Sequence, residues 1–187
     1  MSDAYTVSPA QIHDVEELTA LLNSAYRGDS SRVGWTTEAD FLDGQRTEAT
    51  AIAQQLREGL TILCLREGGS PAILGCVLLQ VVESDRGRGF HLGMLTINPR
   101  RQAHGLGRKL LQSAEDFVVH QRGKWITLTV IQLRESLMEW YERRGYQRTD
   151  KTSPFPYGHP EKGLPKRDDL YFVWFEKFLP AKSNQKP

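Results

Sequence analysis

Two cysteines in 187 residues are too few, and too unhelpfully spaced, to build a disulfide framework or a thiolate metal cluster. Cys64 and Cys76 sit inside the apolar runs Thr61-Ile62-Leu63-Cys64-Leu65 and Gly75-Cys76-Val77-Leu78-Leu79, where they act as small buried hydrophobes. Charge of one sign is also lacking. With 24 basic against 23 acidic residues the formal net charge is +1, so no global field recruits nucleic acid or an anionic membrane. No apolar run approaches membrane-spanning length, and Met1-Ser2-Asp3-Ala4 lacks the basic-then-apolar opening of an export signal. The expected compartment is therefore a reducing cytoplasm, with neither nucleic acid nor membrane as partner. Internal repeats and low-complexity blocks are absent as well.

A chain of this length with 39% hydrophobic residues can bury one sizeable core. The expectation is a single domain over residues 1–179 and a polar, frayed tail over 180–187. Residues 5–7 predict a strand, and Ile12, Val15, Leu18, Leu22 and Ala25 recur at helical spacing up to Gly28. A second helical pattern has Thr47 as its expected N-cap, Ile52 and Leu56 facing inward, and Gly59 as its end. Three strands follow over 60–66, 72–83 and 90–97, joined by short glycine turns that imply an antiparallel meander. A helix burying Leu106, Leu110, Ala114, Phe117 and Val118 runs toward Gly123, then come strand, helix and strand. Residues 169–177 close the chain as a last strand.

The chemistry concentrates between His91 and Tyr146. An apolar strand, Met94-Leu95-Thr96-Ile97, passes through Asn98-Pro99-Arg100-Arg101 into Gln102-Ala103-His104-Gly105-Leu106-Gly107-Arg108, where a helix starts. Free N–H groups of a first helical turn, the positive end of the helix dipole and glycines that admit a ligand's oxygens together make an anion cradle. A P-loop would need Ser or Thr after Gly-Lys, whereas the chain reads Gly107-Arg108-Lys109-Leu110. A dinucleotide fingerprint would need glycine at Leu110 and an acidic residue on the strand over 125–130, and both are missing. Arg100, Arg101, Arg108 and Lys109 bracket the cradle as a local basic patch suited to a phosphorylated nucleotide.

Gln-x-x-Gly-x-Gly after such a strand resembles the pyrophosphate-binding motif of the GNAT superfamily of acetyltransferases. Downstream, Met138-Glu139-Trp140-Tyr141-Glu142-Arg143-Arg144-Gly145-Tyr146 resembles the family's helix carrying a tyrosine four residues before a Gly-aromatic pair. The resemblance implies an α/β (α+β) fold: a mixed central sheet of six to seven strands, about four flanking helices, and a splayed strand pair at the cofactor site. It also implies acetyl-coenzyme A as cofactor and transfer of its acetyl group to an amine by direct attack in a ternary complex.

On that resemblance, the backbone of Leu95, Thr96 and Ile97 would meet the cofactor's amides. Gln102, Ala103, His104, Gly105, Leu106, Gly107 and Arg108 would hold its pyrophosphate. A pre-aimed N–H at Leu95 would stabilise charge building on the thioester oxygen. Tyr141 is the candidate general acid, since a thiolate is a good enough leaving group for a phenol to return its proton. For the base, His91 lies four residues before Leu95 and so on its face, Glu83 ends the preceding strand, and water alone is the third route. Arg134 stands where the family's helix commonly opens with asparagine. It is counted among the cofactor contacts, although it can also reach an acidic acceptor.

Two irregular segments are expected to wall the acceptor pocket. One is residues 26–38, contributing Tyr26, Arg27, Arg32 and Trp35; the other is residues 151–168, rich in proline and glycine, contributing Tyr157. The mixed charges of Arg27, Asp29, Arg32, Glu38, Asp40 and Arg46 suit a zwitterion, favouring a small or amino-acid-like amine. Protein or peptide acceptors, and a coenzyme A-binding sensor without catalysis, stay open. The expected assembly is a monomer or homodimer, and no metal is expected.

Overall fold

The computed structural model describes residues 4–34, 37–102 and 105–180. Its elements follow from where the chain has apolar faces to hide. Strand β1 (Tyr5–Pro9) leads through a 3-10 turn into helix α1 (Val15–Tyr26), whose Val15, Leu18, Leu21, Leu22 and Ala25 are buried. Ile12 was expected on that face but is 60% exposed, because the regular helix starts only at Val15. A single turn, α2 (Gly28–Ser31), and the two-residue strand β2 (Leu42–Asp43) interrupt what the sequence presents as a featureless polar stretch.

Helix α3 (Ala49–Arg57) is capped by Glu48 rather than by Thr47. The Asn23 side chain on α1 holds the Thr47 backbone, accepting from its N–H at 3.3 Å and donating to its carbonyl at 3.0 Å, which moves the helix start one residue on.

The meander comprises β3 (Thr61–Glu67), β4 (Ile73–Ser84) and β5 (Gly87–Ile97). Helix α4 (Leu106–His120) crosses to β6 (Trp125–Ile131), and α5 (Glu135–Glu142) leads to β7 (Gln147–Pro154). Strand β7 extends into residues expected to be loop; it is an edge strand, where a terminal proline breaks no ladder. The short β8 (Leu164–Pro165) precedes β9 (Tyr171–Phe178).

The described residues thus form a seven-stranded mixed sheet in the order β1-β3-β4-β5-β6-β9-β7, with five α-helices, one of them a single turn. One apolar layer, including Phe90, Leu92, Leu110, Ala114, Val118 and Phe175, fills the space under α4 and α5. A second, including Leu18, Leu22, Ile52, Ile62, Cys64 and Cys76, lies under α1 and α3. No described helix is long and apolar enough to cross a membrane. Trp35, Ala103, His104 and the tail from residue 181 onward, all assigned roles or character above, lie outside the described residues.

Two departures from regularity position the site. Strands β5 and β6 run parallel but pair only at Phe90, His91 and Leu92. Past Leu92 they separate, and Thr129, Val130 and Ile131 of β6 keep partners only on β9. The cause lies on β5. Its register against β4 slips by one between Leu78↔Gly93 and Cys76↔Thr96, leaving Met94 and Leu95 as a bulge with Met94 at φ 52°. One inserted residue increases local twist and bends the strand away from its neighbour.

Candidate active site

The gap between β5 and β6 opens into a cavity of about 620 Å³. Its floor is main chain. Met94 and Leu95 have no strand partner in either ladder, so their amide groups are available to a ligand that lies along the strand. Each carbonyl already accepts one side-chain hydrogen bond, Leu95's from the buried Tyr26 hydroxyl at 3.0 Å and Met94's from the Thr96 hydroxyl at 2.9 Å.

At one end stands the start of α4. Gly105 is the N-cap, at φ 73°, a left-handed conformation that only glycine adopts cheaply. It directs the first turn, with the N–H groups of Leu106, Gly107 and Arg108, toward the opening, and all four residues line the cavity. Gln102 lines it too, tied to the Ile97 carbonyl by its Nε2 at 3.1 Å. Of the expected basic patch only Arg108 does so; Arg100 is exposed, Arg101 pairs with Glu67 at 3.2 Å and Lys109 lies over the Tyr5 ring. A cation the sequence reading missed takes their place. Arg144 stacks on Trp140, its guanidinium carbon 3.6 Å from the ring centroid, and both line the cavity. Its signal was present three residues after Tyr141, in the turn just past the end of α5.

Tyr141 is 5% exposed, packed edge-on between Trp140 and Tyr146, and borders the cavity. Burial pushes its phenol well above the ordinary value, with Tyr26 adding to the rise, so it stays protonated. His91 also borders the cavity, with Nδ1 3.2 Å from the Thr127 hydroxyl and the ring 5.5 Å from that of Trp174. Burial, and secondarily Lys151, push its pKa below 6.5, which keeps the imidazole neutral near pH 7.

The expectation that His91 and Leu95 share a face does not hold. The bulge inserts a residue between them, so Phe90 and Leu92 before it and Leu95 and Ile97 after it pack on the α4 side, whereas Met94 joins the layer under α1. The same slip removes Thr96 from the cavity wall: it is 1% exposed and its hydroxyl donates to the Met94 carbonyl at 2.9 Å. Glu83 is likewise outside, at the far end of β4 opposite Arg88.

The chain just beyond the first irregular segment meets the second, through the β2–β8 pairing and a Lys166 hydrogen bond to the Ala39 carbonyl at 2.7 Å. Their contribution differs from the expected list. Tyr26 lines the cavity, together with Glu38, Arg46, Gln55, Arg134 and Lys162. Arg27 stands behind this wall, buried, with Nη1 2.5 Å from Glu38 Oε2. Arg32 pairs with Asp40 on the surface, and Tyr157 accepts from the Leu170 N–H instead of facing the cavity. Gln55 and Lys162 had no sequence signal, because their neighbours in space come from distant segments.

A family model described as the acetyltransferase (GNAT) family matches residues 15–146. No curated protein matches the chain significantly. Among solved structures the chain is similar to the ribosomal-protein-S18-alanine N-acetyltransferase of Escherichia coli, at 15% identity and TM-score 0.68, covering 98% of this chain and 99% of that one. It is similar to yncA, a putative acetyltransferase of Salmonella typhimurium determined with its cofactor acetyl-CoA, at 18% identity and TM-score 0.66 over 99% and 98%. An N-acetyltransferase of Staphylococcus aureus Mu50 gives 9% identity and TM-score 0.68 over 94% and 98%. At these identities the likeness is one of fold, and the family match over more than half of the chain decides its membership: this chain is an acyltransferase of the GNAT acetyltransferase family.

Proposed function

We propose that the chain is an acetyl-coenzyme A-dependent N-acetyltransferase whose acceptor is the primary amine of a small, amino-acid-like molecule. The observation that carries this reading is the bulge at Met94-Leu95, which frees a stretch of main chain between the α4 cradle and Tyr141. The residues fit the cofactor: an anion-accepting helix start with Arg108 and Arg144 at one end, unpaired strand amides along the middle, and a protonated phenol beyond.

When bound, acetyl-coenzyme A supplies the activated acetyl thioester. The Leu106, Gly107 and Arg108 amides would hold the diphosphate. The Leu95 N–H would face the reacting carbonyl and, being fixed in the strand, would need no reorganisation during reaction. The Thr96 hydroxyl holds the Met94 carbonyl, which shares its peptide plane with this donor, while Tyr26 holds the next carbonyl, that of Leu95. His91, neutral near pH 7, accepts the amine's proton directly or through water. Tyr141 returns a proton to the departing sulfur.

The test is thiol release from acetyl-coenzyme A across amines, polyamines, amino acids and peptides, beside a calorimetric titration with the donor. Release with small amines supports the reading. Heat of binding without release from any acceptor would make the chain a sensor, and release with peptides alone would move the acceptor to a protein.

A further inference from the structure

We infer that Arg134 and Arg46 form a carboxylate-binding subsite at the acceptor end of the cavity, so that the amine accepted carries an acidic group. This deepens the transferase reading and rests on it for the identity of the reacting nitrogen.

Arg134 is a cation without full company. Its side chain is only 9% exposed, Nη1 lies 3.5 Å from Glu38 Oε1, and Nη2 is buried with no hydrogen-bond partner. A buried guanidinium N–H left unpaired is costly, and a carboxylate entering the cavity is the group whose geometry satisfies that fork. Glu38 does not discharge the debt, because its other oxygen is held by Arg27.

Arg46 lines the same wall, with its guanidinium carbon 5.3 Å from the Tyr26 ring centroid, and no described carboxylate lies within ion-pair distance of it or of Lys162. Arg134, Arg46 and Lys162 therefore line a wall whose one carboxylate, Glu38, is already engaged by Arg27 and Arg134. Arg46 and Arg134 both act on Tyr26, whose hydroxyl marks Leu95 and so the expected position of the thioester.

These cations are separate from those that serve the diphosphate. Arg134 precedes α5 and Arg144 follows it, so that the eight-residue helix, about 12 Å long, stands between their backbones. The donor's phosphates go to Arg108 and Arg144, leaving Arg134 and Arg46 for a second anion. Tyr26 joins that pair to the Leu95 bulge, its ring beneath Arg46 and its hydroxyl on the Leu95 carbonyl, which suits a small amine with a carboxylate a few bonds away, as in a free amino acid.

The experiment compares free amino acids with their carboxamides as acceptors, for the parent and for Arg134→Gln and Arg46→Gln. The parent should prefer the acid at least tenfold in kcat/KM, and each variant should bring the ratio toward one, chiefly through KM. A second readout needs no turnover: N-acetylated amino acids, but not their amides, should raise the parent's Tm. That shift without any transfer would keep the subsite and remove the transferase reading. Equal turnover of acids and amides by the parent would overturn the inference. So would an Arg134→Gln variant that raises the KM of acetyl-coenzyme A while the acid-over-amide ratio stays at the parent's value, since Arg134 would then serve the donor.

Discussion

Two glycines two residues apart in the cradle should fail in opposite ways when changed to alanine. Gly105 holds φ 73° and a Cβ there would meet nothing within 4 Å, so the whole cost of Gly105→Ala is backbone strain, about 1–2 kcal/mol. In a chain of this size each kcal/mol moves Tm by about 2–4 °C. Gly107, by contrast, sits in the first turn of α4, and a Cβ there would lie 3.6 Å from Trp140 and 3.8 Å from Ile97, ordinary van der Waals contact. Gly107→Ala should therefore hold Tm or raise it by about 2 °C, since alanine favours helix by up to about 1 kcal/mol. The new methyl nevertheless stands on the cavity wall beside the amides that receive the diphosphate. We expect the Kd for acetyl-coenzyme A to rise about tenfold, ~1.4 kcal/mol. Thermal unfolding and calorimetric titration of both variants measure the two effects independently. Parental affinity in Gly107→Ala, or a loss of affinity in either variant that merely tracks its loss of Tm, would refute the cradle as the donor's anchor.

Tyr141→Phe should lower kcat by about a hundredfold with little change in the donor's Kd, as expected when a general acid is deleted; unaltered turnover would assign thiolate protonation to water. If His91 is the base, the acidic limb of the rate profile lies below pH 6.5, because burial and Lys151 depress its pKa. Lys151→Ala, which removes a positive charge opposing imidazolium, should move that limb to higher pH, and His91→Ala should abolish it. Both cysteines should resist thiol reagents in the folded chain and react fully in denaturant, because burial holds the Cys64 thiol at about 12 and pushes Cys76 higher still. Rapid labelling of either in the native protein would contradict the packing of β3 against β4.

The sequence by itself determined what depends on neighbours along the chain. The periodicity of α1 and α4, the meander of β3 to β5 and the glycine turn that opens α4 follow from local pattern, and the tyrosine helix from its resemblance to a family motif. Residues 26–38 and 151–168 were legible as mostly irregular, but neither the short elements α2 and β8 nor their side-chain placements were. Arg27 turned out to stand behind Glu38, Tyr157 to brace Leu170, and Gln55 and Lys162 to enter the wall.

Tertiary structure decided the rest, because it depends on strand register. Alternation on β5 suggests that His91 and Leu95 share a face; one extra residue pushed out against β4 reverses that parity and hides Thr96. The same extra residue bends β5 from β6 and opens the cavity. A bulge needs no special residue here, since Met94 accepts φ 52° without being glycine, so only the pairing of two strands distant in sequence reveals it.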